Sequence, residues 1–195
     1  MGQDTVLWEA ADMHAMTAEN LRTAFGGESM AHVRYKLWAK RAQQDGFANV
    51  ARLFAAVSFA EEVHASKHFK RLKEDAGAFS VTAGGGFGLG TTAANLANAL
   101  AGEAYEVSEM YPAFLEVAHL QGEQDAVKSF TYAHETEKAH AMLYRRAKEA
   151  VALGQDVELG PVYVCDHCGW TIEGEAPEKC PLCAVKRERF VEYAS

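Results

Sequence analysis

Cysteine is missing from the first 164 residues of the chain, which excludes a disulfide framework or a thiolate site there. Proline occurs only 4 times in 195 residues, so long stretches are free of the residue that breaks helices. Basic clusters are lacking too. Lys and Arg number 19 against 27 Asp and Glu, for a formal charge of −8, and a phosphate-binding surface needs the opposite balance. The opening residues, MGQDTVLWEAADMH, have no basic run leading into an apolar one, so no secretory signal is expected. The long uncharged stretch at 76–102 carries six glycines by residue 90, which makes it poor material for a membrane helix. It also lacks Gly-x-Gly-x-x-Gly and a Gly-Lys-Ser/Thr ending, so a phosphate loop is the weaker reading and a flexible linker the better one. The expected location is the cytoplasm, with neither nucleic acid nor membrane as a partner.

What remains is a chain that is 49% hydrophobic, ample for a real core, with apolar residues recurring at three- and four-residue spacing in four long segments. These run over about 17–44, 47–75, 92–120 and 123–153, each long enough for a bundle helix. Short polar turns with a glycine, QQDGF and LQGEQD, join the first pair and the last pair. Between the pairs lies the Gly-rich run, too long for a tight turn. Short, long, short connections describe a four-helix bundle with one long crossover, the ferritin-like arrangement. From about Gly154 the helical period stops. A module too small to hold itself together by apolar burial follows, giving domains over 1–153 and 154–195. All four cysteines lie in this module, as Cys165/Cys168 and Cys180/Cys183 with eleven residues between the pairs. That spacing points strongly to a tetrahedral metal site for zinc or a single iron. For the tail alone, a structural zinc ribbon is the favoured reading.

The helical segments carry acid where apolar residues belong. At about 100° per residue, Val50, Phe54, Val57, Glu61, His64 and His68 share one face of the second segment, and Glu62 falls off it. Glu28 lies in the first segment's stripe with Leu21, Phe25, Tyr35 and Trp38. Glu103 and Glu106 lie in the third with Leu96, Leu100, Met110, Phe114 and Val117. In the fourth, Glu137 and His140 share a face with Phe130, Ala133, Tyr144, Ala147 and Val151. Each buried, ionised carboxylate costs several kcal/mol even after relaxation, so five together require cations. Two divalent ions bring four charges and bring the group near neutrality. One Glu from each of two helices plus Glu-x-x-His from each of the other two is the donor pattern of di-iron and di-manganese carboxylate bundles.

Chance supplies about one Glu-x-x-His in a chain of this composition, and this chain has three. The third, Glu116/His119, lies roughly 140° and 160° around the helix from Glu103 and reads as solvent-facing. Repetition separates the others from chance. Glu28 to Glu103 is an offset of 75, and Glu61 to Glu137 and His64 to His140 are both 76. Glu62, His68 and His32 have no acidic or histidine counterpart, so they read as surface or packing groups, with a supporting place behind the donors as the alternative for His68. Glu106 is a surplus carboxylate, its equivalent being Ala31.

With these motifs in place, including FGGES around Glu28 and GEAYEVSEMYP around Glu103 and Glu106, the chain resembles the rubrerythrin family over nearly all of its length after about residue 17. The resemblance implies a ferritin-like di-iron domain followed by a rubredoxin-like domain. Glu61 and Glu137 would bridge the irons, with Glu28 on one and Glu103 and His140 on the other. The first iron would exchange Glu106 for His64 on reduction, and Tyr35 and Tyr111 would hydrogen-bond the carboxylates. His14 and His68 receive no role. Cys165, Cys168, Cys180 and Cys183 would hold one iron, zinc being the alternative. The implied activity is reduction of hydrogen peroxide to water, with electrons from rubredoxin or an NAD(P)H-dependent reductase. A homodimer or larger assembly is implied, in which the four-cysteine centre of one chain approaches the di-iron site of another. The competing reading is a ferroxidase or iron-storage protein with a structural zinc tail.

Overall fold

The structure is a computed structural model that describes residues 13–72 and 77–194. The N-terminal residues judged to lack a signal, up to residue 12, and the end of the second predicted segment, 73–75, lie outside the described residues.

Each predicted segment is helical. α1 (Ala15–Gln44) buries Leu21, Ala24, Glu28, Ala31, Tyr35, Trp38 and Ala42, alternating steps of three and four that keep one stripe on the core. Ala24, one residue from the expected Phe25, takes the buried place; Phe25 is half-buried and stacks at 5.2 Å on Phe69. α2 (Ala48–Arg71) and α5 (Gln124–Ala152) bury their expected faces, including Glu61, His64 and His68 on one and Glu137, His140 and Tyr144 on the other. The turn after α1 passes through Gly46 at φ 88°, a left-handed conformation that glycine adopts without a Cβ penalty. The N-terminus of α2 is capped from a distance: Asp156 accepts from the backbone N–H of Asn49 at 2.8 Å and of Val50 at 3.2 Å, supplying acceptor and negative charge together.

The third segment departs from the single helix its periodicity predicts. It comprises α3 (Thr92–Tyr105), a π-helical turn at Glu106–Met110 and α4 (Tyr111–Leu120). Pro112, at the start of α4, explains the break. It has no N–H to give to the preceding turn, and its ring crowds the carbonyl four residues back. A π turn accommodates one extra residue. The offset between repeats is 75 at Glu28/Glu103 and 76 at Tyr35/Tyr111, so the one-residue slippage falls where the helix widens, and Glu106 opens that turn.

Residues 77–91 have no helix or strand, as expected of the crossover, but they are strapped to α1. Arg22 lies 4.2 Å over the Phe79 ring and Trp38 Nε1 donates to Gly88 O at 3.0 Å. A side chain at Gly85 would overlap the Arg34 guanidinium.

β1 (Val162–Cys165) pairs antiparallel with β2 (Thr171–Glu173) and β3 (Phe190–Tyr193), in the order β2-β1-β3. This sheet packs on its own chain's bundle. Val162 and Val164 meet Ala56 and Ala60 of α2, and Arg52 donates to the carbonyls of Leu159 at 2.6 Å, Gly160 at 3.0 Å and Tyr193 at 3.1 Å. No helix among the described residues is long and apolar enough to cross a membrane.

Candidate metal centres

Six of the predicted donors converge in the bundle core, each buried at 1% exposure or less. They form two overlapping groups: Glu28, Glu61, His64 and Glu137, and Glu61, Glu103, Glu137 and His140, with donor atoms in each within 4.8 Å of one another. Glu61 and Glu137 belong to both. His64 Nδ1 lies 3.1 Å from Glu61, 2.9 Å from Glu137 and 3.8 Å from Glu28. His140 Nδ1 lies 2.6 Å from Glu137, 3.5 Å from Glu61 and 3.6 Å from Glu103. In both rings, therefore, Nδ1 faces the acids.

The polar atoms left without partners test whether cations belong here. Glu28 Oε2, Glu61 Oε1, Glu103 Oε2 and Glu137 Oε1 are buried with no hydrogen-bond partner, one oxygen on every carboxylate of the two groups. Orphaned buried oxygens are costly, and divalent ions between them would satisfy all four. Protonation tells the same story. Burial, then the charges of Glu106 and Glu61, hold the Glu28 carboxyl well above the ordinary range, and burial with Glu61 does so for Glu137. Burial raises Glu61 as well, but His140 and His64 reverse this and bring it to about 2. Burial alone would lower both histidines; instead Glu61 and its neighbours raise His64, and Glu137 and its neighbours raise His140. Protons hold the cluster together where cations would otherwise sit. Mixed carboxylate and imidazole donors, two shared, fit a di-iron site.

Glu106 is half-buried on the π turn and is in neither donor group. Withdrawal from water, then Glu103 and Glu61, push its carboxyl well up, against the pull of Arg34. Glu116 and His119 are exposed, as their helical angle predicts. Tyr35 donates to Glu103 at 2.5 Å and Tyr111 donates to Glu28, so each unshared carboxylate receives one hydroxyl. His68, without a role in the sequence reading, stands behind Tyr111. Its Nε2 is 3.1 Å from Tyr111 Oη and its Nδ1 is 2.9 Å from Ser129 Oγ. Because Tyr111 donates forward, His68 gives it the Nε2 proton and takes one from Ser129, a single direction through Ser129, His68, Tyr111 and Glu28. Burial, then the charge of His64, lower the His68 pKa to about 3, keeping it neutral.

In the C-terminal module the four cysteine sulfurs lie within 4.8 Å of one another. Cys165 and Cys183 are 3.7 Å apart and Cys168 and Cys180 are 3.6 Å apart, far from the ~2.05 Å of a disulfide. They are close to the roughly 3.8 Å edge of a tetrahedron whose metal–sulfur bonds are about 2.3 Å. Bonds from Cys165 and Cys168 pull Cys180 down to about 2, while Cys168 is pushed far up by its bonds to Cys165 and Cys180. The donor set fits a rubredoxin-like four-cysteine site. Each knuckle turns through a left-handed residue, Gly169 at φ 84° and Ala184 at φ 63°.

This module touches the bundle's metal donors. Thr171 Oγ1 is 2.9 Å from His140 Nε2, and Gly169 lies against His64 Nε2, where a Cβ would overlap it. Neither residue was legible as a site residue, because no periodicity links a strand residue in one module to a helix in the other. Within the single chain the module makes this contact itself.

A ferritin-like bundle with a di-iron donor set, joined to a four-cysteine rubredoxin-like module, defines a class of non-haem iron protein. The chain belongs to the rubrerythrin family: the family model described as rubrerythrin matches residues 19–148, and that of the rubrerythrin rubredoxin-like domain matches 163–191. It is 45% identical over 180 residues to Rubrerythrin-2 of Clostridium acetobutylicum, covering 92% of this chain and 98% of that one. It is 34% identical over 177 residues to nigerythrin of Nitratidesulfovibrio vulgaris, covering 91% and 86%. Among solved structures, the fully reduced, all-ferrous state of nigerythrin superposes with a TM-score of 0.79 at 32% identity, covering 96% of this chain and 91% of that chain. The family is one of oxidoreductases.

Proposed function

We propose that the chain is a di-iron peroxidase of oxidative-stress defence, reducing hydrogen peroxide to water: H2O2 + 2e− + 2H+ → 2H2O. The observation that carries this reading is the pair of donor groups sharing Glu61 and Glu137, with the cysteine knuckle seated against both histidines. Glu61 and Glu137, common to both donor groups, would be shared by the two irons; Glu28 would hold one, and Glu103 with His140 the other. His64 and Glu106 would alternate as donors to the first iron with its redox state; His64 lies in the donor group and Glu106 outside it.

When bound, the iron pair supplies two electrons together and the four-cysteine iron replaces them singly. The chain's own residues do the remainder. Burial followed by the charges of nearby carboxylates raises Tyr35 and Tyr111 well above the usual phenol range, so both keep their Oη protons and orient Glu103 and Glu28. The aromatic packing of Trp38, Phe54 and Tyr144 around Tyr35 keeps water from that side.

The donor is rubredoxin or an NAD(P)H-dependent reductase, and the protein acts in the cytoplasm as a homodimer or larger assembly, divided near residues 153 and 154 into its two domains. A ferroxidase or storage role with a zinc tail gives the contact between knuckle and histidines no purpose. Stopped-flow oxidation of the reduced protein distinguishes the two: faster oxidation by hydrogen peroxide than by dioxygen is expected, and the reverse preference would sink the assignment. Cys180→Ser is expected to spare a single turnover with peroxide and to stop donor-driven turnover.

A further inference from the structure

Pro112 deprives one particular carbonyl of a donor. In a regular helix Val107 O would accept from the N–H of Tyr111, but that N–H goes one residue further back, to Glu106 O, as a π turn requires. In the π register Val107 O would accept from residue 112, which is proline and has no N–H. Both backbone donors are therefore lost to it. His134 of α5 supplies one instead, with its Nε2 3.1 Å from Val107 O. A carbonyl only accepts, so Nε2 carries the proton. The half-buried ring also lies 6.4 Å, centroid to centroid, from the ring of Tyr111.

The first half of the bundle has the same bridge without the same need. Ser58, 76 residues before His134, donates from Oγ to the carbonyl of His32 at 2.8 Å, and His32 is 75 residues before Val107. The position equivalent to Pro112 is Lys36, inside the unbroken α1, so the His32 carbonyl keeps its backbone donor. The serine adds a bond to a carbonyl already satisfied; the histidine makes the bond that the backbone cannot.

We propose that His134 is a positioning residue, the brace that holds the π turn against α5 and so sets where Glu106 and Tyr111 stand. Glu106 immediately precedes the braced residue and Tyr111 follows it by four, so one segment carries both. Tyr111 donates to Glu28, and Glu106 stands outside both donor groups. His134 is in neither group and acts on the site through the backbone alone. The consequence for iron rests on the di-iron reading above, whereas the brace itself is testable without metal.

Hydrogen–deuterium exchange of the amides at 108–111 in the metal-free full chain tests the brace. His134→Leu is expected to speed exchange there about fivefold, the effect of losing one hydrogen bond. His134→Gln, whose side-chain amide donates to the same carbonyl, is expected to restore most of the protection. In a Pro112→Ala background, which returns an N–H at residue 112, His134→Leu is expected to cost less than it does alone. Wild-type exchange in His134→Leu, a Gln variant as fast as the Leu variant, or equal costs with proline and alanine at 112 would overturn the brace.

Iron release to a ferrous chelator tests what the brace does for the site. From the iron-loaded protein, His134→Leu is expected to release one bundle iron per chain about fivefold faster, with His134→Gln close to wild type and Ser58→Ala unchanged. If wild-type protein binds two irons in the bundle but His134→Leu releases them at the wild-type rate, or if Ser58→Ala releases iron as fast as His134→Leu, the positioning role is overturned. If wild-type protein does not bind two irons there, the di-iron reading fails and the exchange measurements alone decide the brace.

Discussion

Glu28 and Glu103 hold equivalent places in the duplicated bundle, and each accepts a tyrosine hydroxyl, from Tyr111 and Tyr35 respectively. Behind those tyrosines the two halves differ. Phe54 and Phe130 correspond at an offset of 76, but Leu53 corresponds to Ser129 and Tyr144 to His68. The Tyr35 side is consequently an aromatic cluster, with Trp38, Phe54 and Tyr144 packed around it, and Tyr144 Oη has no hydrogen-bond partner. The Tyr111 side is a directed polar relay through His68 and Ser129. The donors are repeated between the halves, but the residues supporting them are not: one side is held by aromatic packing and the other by hydrogen bonds. The proposed exchange of His64 and Glu106 belongs to the side with the relay.

The largest effect is expected at the shared residues. Glu137→Ala removes a donor from both groups and is expected to abolish dinuclear iron binding, while Glu116→Ala, on the exposed face, leaves it intact; equal losses of iron by elemental analysis would refute the face assignment. Next in size is the effect of pH, which has opposite signs with and without metal. Glu28, Glu137 and Glu106 have raised pKa values in the folded, metal-free protein, as do His64 and His140. A raised folded pKa contributes stability that is present below the unfolded value and lost as pH rises toward the folded one. Metal-free protein should therefore become less stable as pH climbs from about 4.5 through neutrality, while iron retention improves because binding displaces those protons. Thermal melts and chelator competition across that range check both; a metal-free protein that gains stability over the same interval would contradict the sign.

Smaller effects sharpen the difference between halves. Tyr111→Phe and Tyr35→Phe should each weaken one iron, by about 10- to 100-fold. His68→Leu, one link further back, removes a single buried hydrogen-bonded partner and should weaken the Glu28 side by about fivefold, equivalent to ~1 kcal/mol. The matching change Tyr144→Phe, where the hydroxyl is unpartnered, should leave iron affinity unchanged. Iron titration of the four variants ranks them, and an equal loss from His68→Leu and Tyr144→Phe would erase the asymmetry.

Helical period and internal repetition were enough to find the bundle, its crossover and the six converging donors, because those residues must share a stripe and the stripe is duplicated. The same repetition contained more. Tyr35 and Tyr111 are 76 apart, and the change of offset from 75 to 76 marks the π turn that Pro112 enforces. Periodicity could not reveal the relay through Ser129, since a serine on a helix carries no signal of its own. Nor could it reveal Asp156 capping α2 or Thr171 behind His140, contacts made between segments more than thirty residues apart with no shared pattern. The half-buried Glu106 sits on the expected face, but the widened turn keeps its carboxyl out of both donor groups.

The proposed function requires a redox-active four-cysteine centre serving the di-iron site against which it packs. Metal analysis of natively expressed protein tests it most directly. Three irons per chain are expected, two in the bundle and one among Cys165, Cys168, Cys180 and Cys183; two irons and one zinc would leave the electron path without a carrier and contradict the proposed function.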